Sequence, residues 1–122
     1  MAPSGSIAIS VERHAHIVVL AVVGVVDLAT GPALRQEIDG VIGEAPGSLV
    51  IDLSKVTFIS STCLAILAST KERLDNVAGF AVVANNPATT RPIQLTGLDQ
   101  LFSMYATLQD ALDGLGTAQP NR

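Results

Sequence analysis

A chain of 122 residues, 48% hydrophobic and 15% charged, has room for one substantial core and excludes both a disordered polymer and a pair of full-sized domains. Its formal net charge of −4, with no basic cluster anywhere, excludes nucleic acid as the expected partner. Aromatic residues are 3% and Trp is absent, so the core has to come from Val, Ile, Leu and Ala, which suits strands covered by helices. The lone Cys permits no internal disulfide and fits a reducing cytoplasm. Residues 1–6 carry neither the positive nor the apolar segment of a signal peptide. The longest strongly apolar run, Ile17 to Val26, is too short to cross a bilayer as a helix. The expectation is a soluble cytoplasmic protein with no membrane partner: loose ends at 1–6 and 116–122, and one domain over 7–115.

In chain order, Ile7 to Glu12 alternates apolar with small or polar residues, the period of a half-buried strand. After a break at Arg13-His14-Ala15, the β-branched run His16 to Val23 predicts a second strand, paired with the first as a hairpin. His14 and His16 lie two apart and can share a face, yet no third metal ligand is near, so they read as exposed hairpin residues. Gly24 to Asp27 ends that strand, and Gly31-Pro32 leads into a helix from Ala33 to about Ile42, with Leu34, Ile38, Val41 and Ile42 on its apolar face. Ser48 to Leu53 is almost continuously apolar, as expected of a strand buried on both faces. A helix then runs to about Val77, and Phe80 to Ala84 predicts the next buried strand.

Pro92 interrupts the helix expected between Ala88 and Leu95. An interior Pro costs about 3 kcal/mol, so that helix is expected to start late, capped by Thr89 or Thr90. A short edge strand at Leu101 to Tyr105 and a helix from Leu108 to Leu115, capped by Thr107, complete the chain. The order implies an α/β fold: a mixed five-stranded sheet with mostly parallel central strands, an opening hairpin and about four helices.

Between the third strand and its helix stand three hydroxyls, Ser60, Ser61 and Thr62. Ser and Thr start helices because their oxygens accept hydrogen bonds from unpaired backbone amides, but one cap needs only one of them. A helix start also favours negative charge, which makes a hydroxyl there suited to receive a phosphate. On the residues alone, capping and phosphorylation both remain open.

Three patches resemble the STAS domain, and within it the stand-alone bacterial anti-sigma factor antagonists. Gly24-Val25-Val26-Asp27 is similar to the family's Gly-Glu-Leu-Asp, and Asp52 to Ile59 to its Asp-Leu-Ser-x-Val-x-Phe-Ile. Ser60-Ser61-Thr62-Cys63-Leu64 falls where the family has Asp-Ser-Ser/Thr-Gly-Leu. A weaker echo joins Asn86-Pro87-Ala88 to Leu95-Thr96-Gly97-Leu98. The resemblance implies a partner switch with no cofactor: the protein binds an anti-sigma factor that is also an ATP-dependent kinase and so frees a sigma factor. Phosphorylation by that kinase ends the complex, and a Ser/Thr phosphatase restores the protein. Carried over by position, the acceptor is Ser61, with Thr62 as the alternative. The implied partner-binding residues are Asp27, Ser60, Ser61, Thr62, Cys63 and Leu64.

Three departures stand out. Ser60 replaces an Asp, so Asp27 and Asp52 become the sources of local negative charge. Val25 replaces a Glu. Cys63 replaces a Gly, which would be strained if a positive φ were needed there.

The competing expectations are narrower. An enzyme would need a nucleophile elbow, a phosphate loop, a metal cluster or an acid pair, and none is in the sequence. A stand-alone ligand or nucleotide sensor is one alternative. Redox control through Cys63 is another, since a thiol at a helix start has a lowered pKa.

Overall fold

In a computed structural model, residues 7–75 and 77–116 are described. The loose ends expected at the termini fall outside them, apart from Gly116, which ends the last helix. The hairpin pairs β1 (Ile7–His14) with β2 (Ile17–Val26) in antiparallel register from Ile7 opposite Gly24 to His14 opposite Ile17. β3 (Ser48–Ile59), β4 (Gly79–Val83) and β5 (Ser103–Tyr105) then add in parallel, giving a five-stranded sheet in the order β1-β2-β3-β4-β5. Four helices complete the fold: α1 (Gly31–Ile42), α2 (Ser61–Leu74), α3 (Pro87–Leu95) and α4 (Leu108–Gly116). This is the mixed α/β architecture that the order of elements implied.

The sheet carries its main core on one face. Val18, Leu20 and Val22 of β2 and Leu49, Ile51 and Leu53 of β3 pack there against Leu34 and Ile38 of α1, Ile66 and Leu67 of α2 and Ile93 of α3. Burying each such side chain contributes about 1.5–3 kcal/mol. On the other face, among the described residues, α4 covers the sheet, through Ala111 against Ile17, Val19, Val50, Ala81 and Val83. The start of α4, at Leu108, lies beside Val23, Ser54 and Lys55, and the hydroxyl stretch lies further on, where β2 and β3 end.

Two elements depart from the sequence reading. β3 runs to Ile59 rather than Leu53, because its polar residues are absorbed as irregularities. Ala21 pairs with Asp52 but Val23 with Lys55, and Gly24 pairs with Val56 but Val25 with Phe58, so β3 carries one extra residue at each step. Ser54, Lys55 and Thr57 therefore break the apolar pattern without ending the strand.

The second departure is α3, which starts at Pro87 and not at Thr89 or Thr90. Asn86 is its cap: Oδ1 accepts from the Ala88 amide at 3.0 Å, and Nδ2 donates to the Val56 carbonyl at 3.3 Å. Pro87 sits at N1, where no amide is missed. A capped first turn tied to the end of β3 outweighs the hydrogen bond that Pro92 forfeits further in. Asn86→Ala should accordingly cost about 1–2 kcal/mol in a urea titration. A change of a few tenths would show that Pro87 alone sets the start.

Elsewhere the corrections are of a few residues. α2 ends at Leu74 rather than near Val77, since Asp75 has left the helical region at ψ 129°. Thr107 caps α4 as expected, its Oγ1 accepting from the Asp110 amide at 3.1 Å.

Candidate functional site

The site forms where β2 and β3 end side by side. The last paired residues are Val26 and Ile59, and the Ser60 amide then donates to the Val26 carbonyl at 2.9 Å. That bond holds the Asp27 turn against the start of α2. Asp27 organises its own turn: Oδ1 accepts from the amides of Ala29 and Thr30, both at 3.0 Å. Thr30 Oγ1 accepts from the Asp27 amide at 2.9 Å and donates to the Val25 carbonyl at 2.8 Å. The chain is thereby turned into α1, and Oδ2 of Asp27 makes no hydrogen bond to a described residue.

The three hydroxyls divide their roles. Ser60 is the cap of α2; its Oγ accepts from the Thr62 amide at 3.2 Å, while its carbonyl receives Cys63 and Leu64. Ser61, the first residue of the helix, is exposed, and its hydroxyl bonds to no described residue. Thr62 is half-buried because α1 begins against it. A Cβ placed on Gly31 would lie 2.6 Å from Cγ2 of Thr62 and 3.4 Å from Cδ1 of Ile66. Glycine is required there by close approach, so that the two helix starts can touch.

Below the surface, Cys63 is wholly buried in the main core, and the half-buried Leu64 packs against that core. This removes Cys63 from the partner-binding set: it supports the surface from beneath and has no area to offer. Its place in the helix interior also answers the question raised by the missing glycine, because Cys63 is not among the residues with positive φ.

The expected lowering of its pKa is overturned as well. Burial pushes the thiol up to about 12 from 9.0, since desolvation of a thiolate outweighs the helix start. Up to about pH 9 the thiol stays protonated in both folded and unfolded states. Above that the unfolded thiol ionises first, so stability should fall as pH rises from 9 toward 12, by about 1.4 kcal/mol per unit. Cys63→Ala should flatten that slope, and a thiol reagent at pH 8 should label the native protein only on unfolding. Rapid labelling of the folded protein would contradict this and restore a redox reading.

Asp52 does not belong to the site. It pairs with Ala21 and Val83, roughly 20–25 Å back along β3. Its Oδ1 accepts from the Ser54 amide at 2.9 Å. Of the two carboxylates expected to supply local charge, only Asp27 is adjacent. His14 and His16 sit at the hairpin turn, at the opposite end of the sheet, where His14 Nε2 lies 3.2 Å from Glu12 Oε1. Among the described residues no group of three or more His, Cys, Asp or Glu is placed to hold a metal ion. No helix among them is long and apolar enough to cross a membrane.

Sequence reasoning missed the Gly31–Thr62 contact. The only signal was a Gly directly before Pro32, which reads as a turn residue until its neighbour is known.

A hydroxyl-capped helix rising from the end of the third strand, beside an Asp turn that closes the second, is the arrangement of a known regulatory domain. The STAS domain profile matches residues 8–111, and the chain belongs to that family, in its anti-sigma factor antagonist branch. It is 44% identical over 115 residues to the anti-sigma-F factor antagonist RsfB of Mycobacterium tuberculosis, covering 94% of each chain. It is 48% identical to an anti-sigma factor antagonist of Mycobacterium paratuberculosis of known crystal structure, with a TM-score of 0.91 over 95% of this chain and 99% of that one. A putative antagonist from Thermotoga maritima shares the fold at 19% identity, with a TM-score of 0.83 over 88% and 94% of the two chains.

Proposed function

We propose that this protein works in the cytoplasm as an anti-sigma factor antagonist whose complex is ended by phosphorylation of Ser61. It binds a kinase-type anti-sigma factor through Asp27, Ser60, Ser61, Thr62 and Leu64, and so frees a sigma factor. The partner then transfers the γ-phosphoryl group of ATP to Ser61 Oγ; the hydroxyl proton is lost, ADP leaves and the complex dissociates. A Ser/Thr phosphatase returns the protein to the binding form. The name of the RsfB relative makes an anti-sigma-F-type factor the first partner to test.

The observation that carries the choice of Ser61 is the division of labour among the three hydroxyls. Ser60 is committed as the cap, the Thr62 methyl is held against Gly31, and Ser61 alone is both exposed and unbonded. A kinase has to reach the acceptor oxygen, and Ser61 is the one it reaches without moving a helix. A phosphate there adds about −1.5 to −2 charges to the positive end of α2, which the fold tolerates, whereas an interface closing over it has to desolvate it.

The reading is tested by displacement. Added to a preformed complex of anti-sigma and sigma factors, the protein should release the sigma factor. With ATP that release should decay with time, and with the Ser61→Ala variant it should persist. Release that decays equally in Ser61→Ala would move the switch to another residue, and no release from any anti-sigma factor would end the reading.

A further inference from the structure

Six large apolar side chains are markedly exposed among the described residues, and they gather at the two ends of the sheet. Val77, Leu95 and Leu101 lie where β4 and β5 begin. Val23 (46% exposed), Leu28 (80%) and Phe58 (51%) lie toward the other end, Val23 and Phe58 in the second halves of β2 and β3 and Leu28 in the turn after β2. Val22 and Val26 are buried beneath the helices, so the alternation of a strand turns Val23 and Val25 to the opposite face. There Phe58 pairs with Val25, two residues from the Ser60–Val26 bond, and neither is among the residues that pack with α4. Leu28 stands in the Asp27 turn that leads from β2 into α1.

We infer that Phe58, Val23 and Leu28 form the adhesive part of the anti-sigma factor interface, so that the partner straddles the β3–α2 junction with Ser61 near the middle of its footprint. This rests on the proposed function and adds to it the residues that hold the complex together. The occupant is the anti-sigma factor and not a second copy, because Phe58 and Leu28 flank the Ser60–Val26 bond that leads to the hydroxyl the partner must reach. Two copies joined at this end would also have to bring together two chains that each carry a net charge of −4. Apolar anchors in the centre of an interface dominate its affinity, while the surrounding contacts mainly exclude water. A phosphate placed among such anchors loses its hydration when the interface closes over it, which is how one small group ends a whole complex.

The test measures affinity by titration calorimetry against the purified anti-sigma factor whose sigma complex the parent protein disrupts. Phe58→Ser and Leu28→Ser should each weaken binding by about tenfold or more, and Val77→Ser, at the opposite end, by less than about twofold. Leu28 is almost fully exposed and Thr30 carries the turn, so Leu28→Ser leaves the melting temperature unchanged and reads binding alone. Light scattering on the same variants follows self-association. If Ser61→Glu abolishes binding while both serine variants bind like the parent, the apolar footprint is wrong and the phosphorylation switch stands. If the serine variants alter only self-association, the patch belongs to a dimer. If the parent binds no anti-sigma factor, this inference and the proposed function fall together.

Discussion

Ser61→Glu should lose about 100-fold or more in affinity for the anti-sigma factor, while its unfolding free energy stays within about 1 kcal/mol of the parent. The two halves of that result come from one position. Ser61 is the first residue of α2, exposed, with its own amide outside the cap that Ser60 provides. A carboxylate there meets the positive end of a 14-residue helix and touches no packed side chain, so the fold is indifferent or slightly favoured. Within a closed interface the same carboxylate loses its water. An unpaired buried charge costs several kcal/mol, and each 1.4 kcal/mol is tenfold in affinity. Ser61→Ala, which removes only the hydroxyl, should bind within a few-fold of the parent. Calorimetric titration beside thermal melts checks both halves. Tight binding by Ser61→Glu would refute the switch, and a collapse in its melting temperature would show that Ser61 supports the fold.

At the site itself the largest effect on stability should come from Gly31→Val, expected to cost about 1–3 kcal/mol in a urea titration. Even one added carbon at Gly31 lies 2.6 Å from the Thr62 methyl, so α1 and α2 have to separate at their starts. Thr62→Ser removes the obstructing methyl, and the double variant should regain a good part of the loss, a coupling expected only of residues in contact. Because Thr62 sits beside Ser61, the single variant should also weaken anti-sigma binding. Full additivity of the two substitutions would mean that the helix starts do not depend on this contact.

The fold was legible wherever periodicity and punctuation agreed. Alternation in Ile7 to Glu12, the apolar run of Ser48 to Leu53 and the helical spacing of Leu34, Ile38 and Val41 each named an element that exists. The failures came where a tertiary tie overrode a local rule. Pro92 argued for a late α3, but the Asn86 side chain fastens the earlier start to Val56, a residue 30 positions away. Ser54, Lys55 and Thr57 argued for the end of β3, but two irregularities against β2 carry the strand through them.

The candidate site was legible in part for the same reason. Ser60, Ser61 and Thr62 announced a helix start, yet which hydroxyl caps and which is free depends on Gly31, from another helix. Cys63 looked like part of a surface motif, and only the packing of α2 against the sheet shows that it points inward. Leu28 carried no signal and Phe58 only its place in the Asp52 to Ile59 motif, because exposure of an apolar residue is a property of the assembled fold.

The central claim is that Ser61 is the acceptor, and site-mapping mass spectrometry after incubation with the anti-sigma factor and ATP tests it most directly. One phosphate, on Ser61, absent in Ser61→Ala and retained in Thr62→Ala, is the predicted result. A phosphate that survives Ser61→Ala and disappears with Thr62→Ala would contradict the account, because the Thr62 side chain would then have to leave Gly31 to be reached.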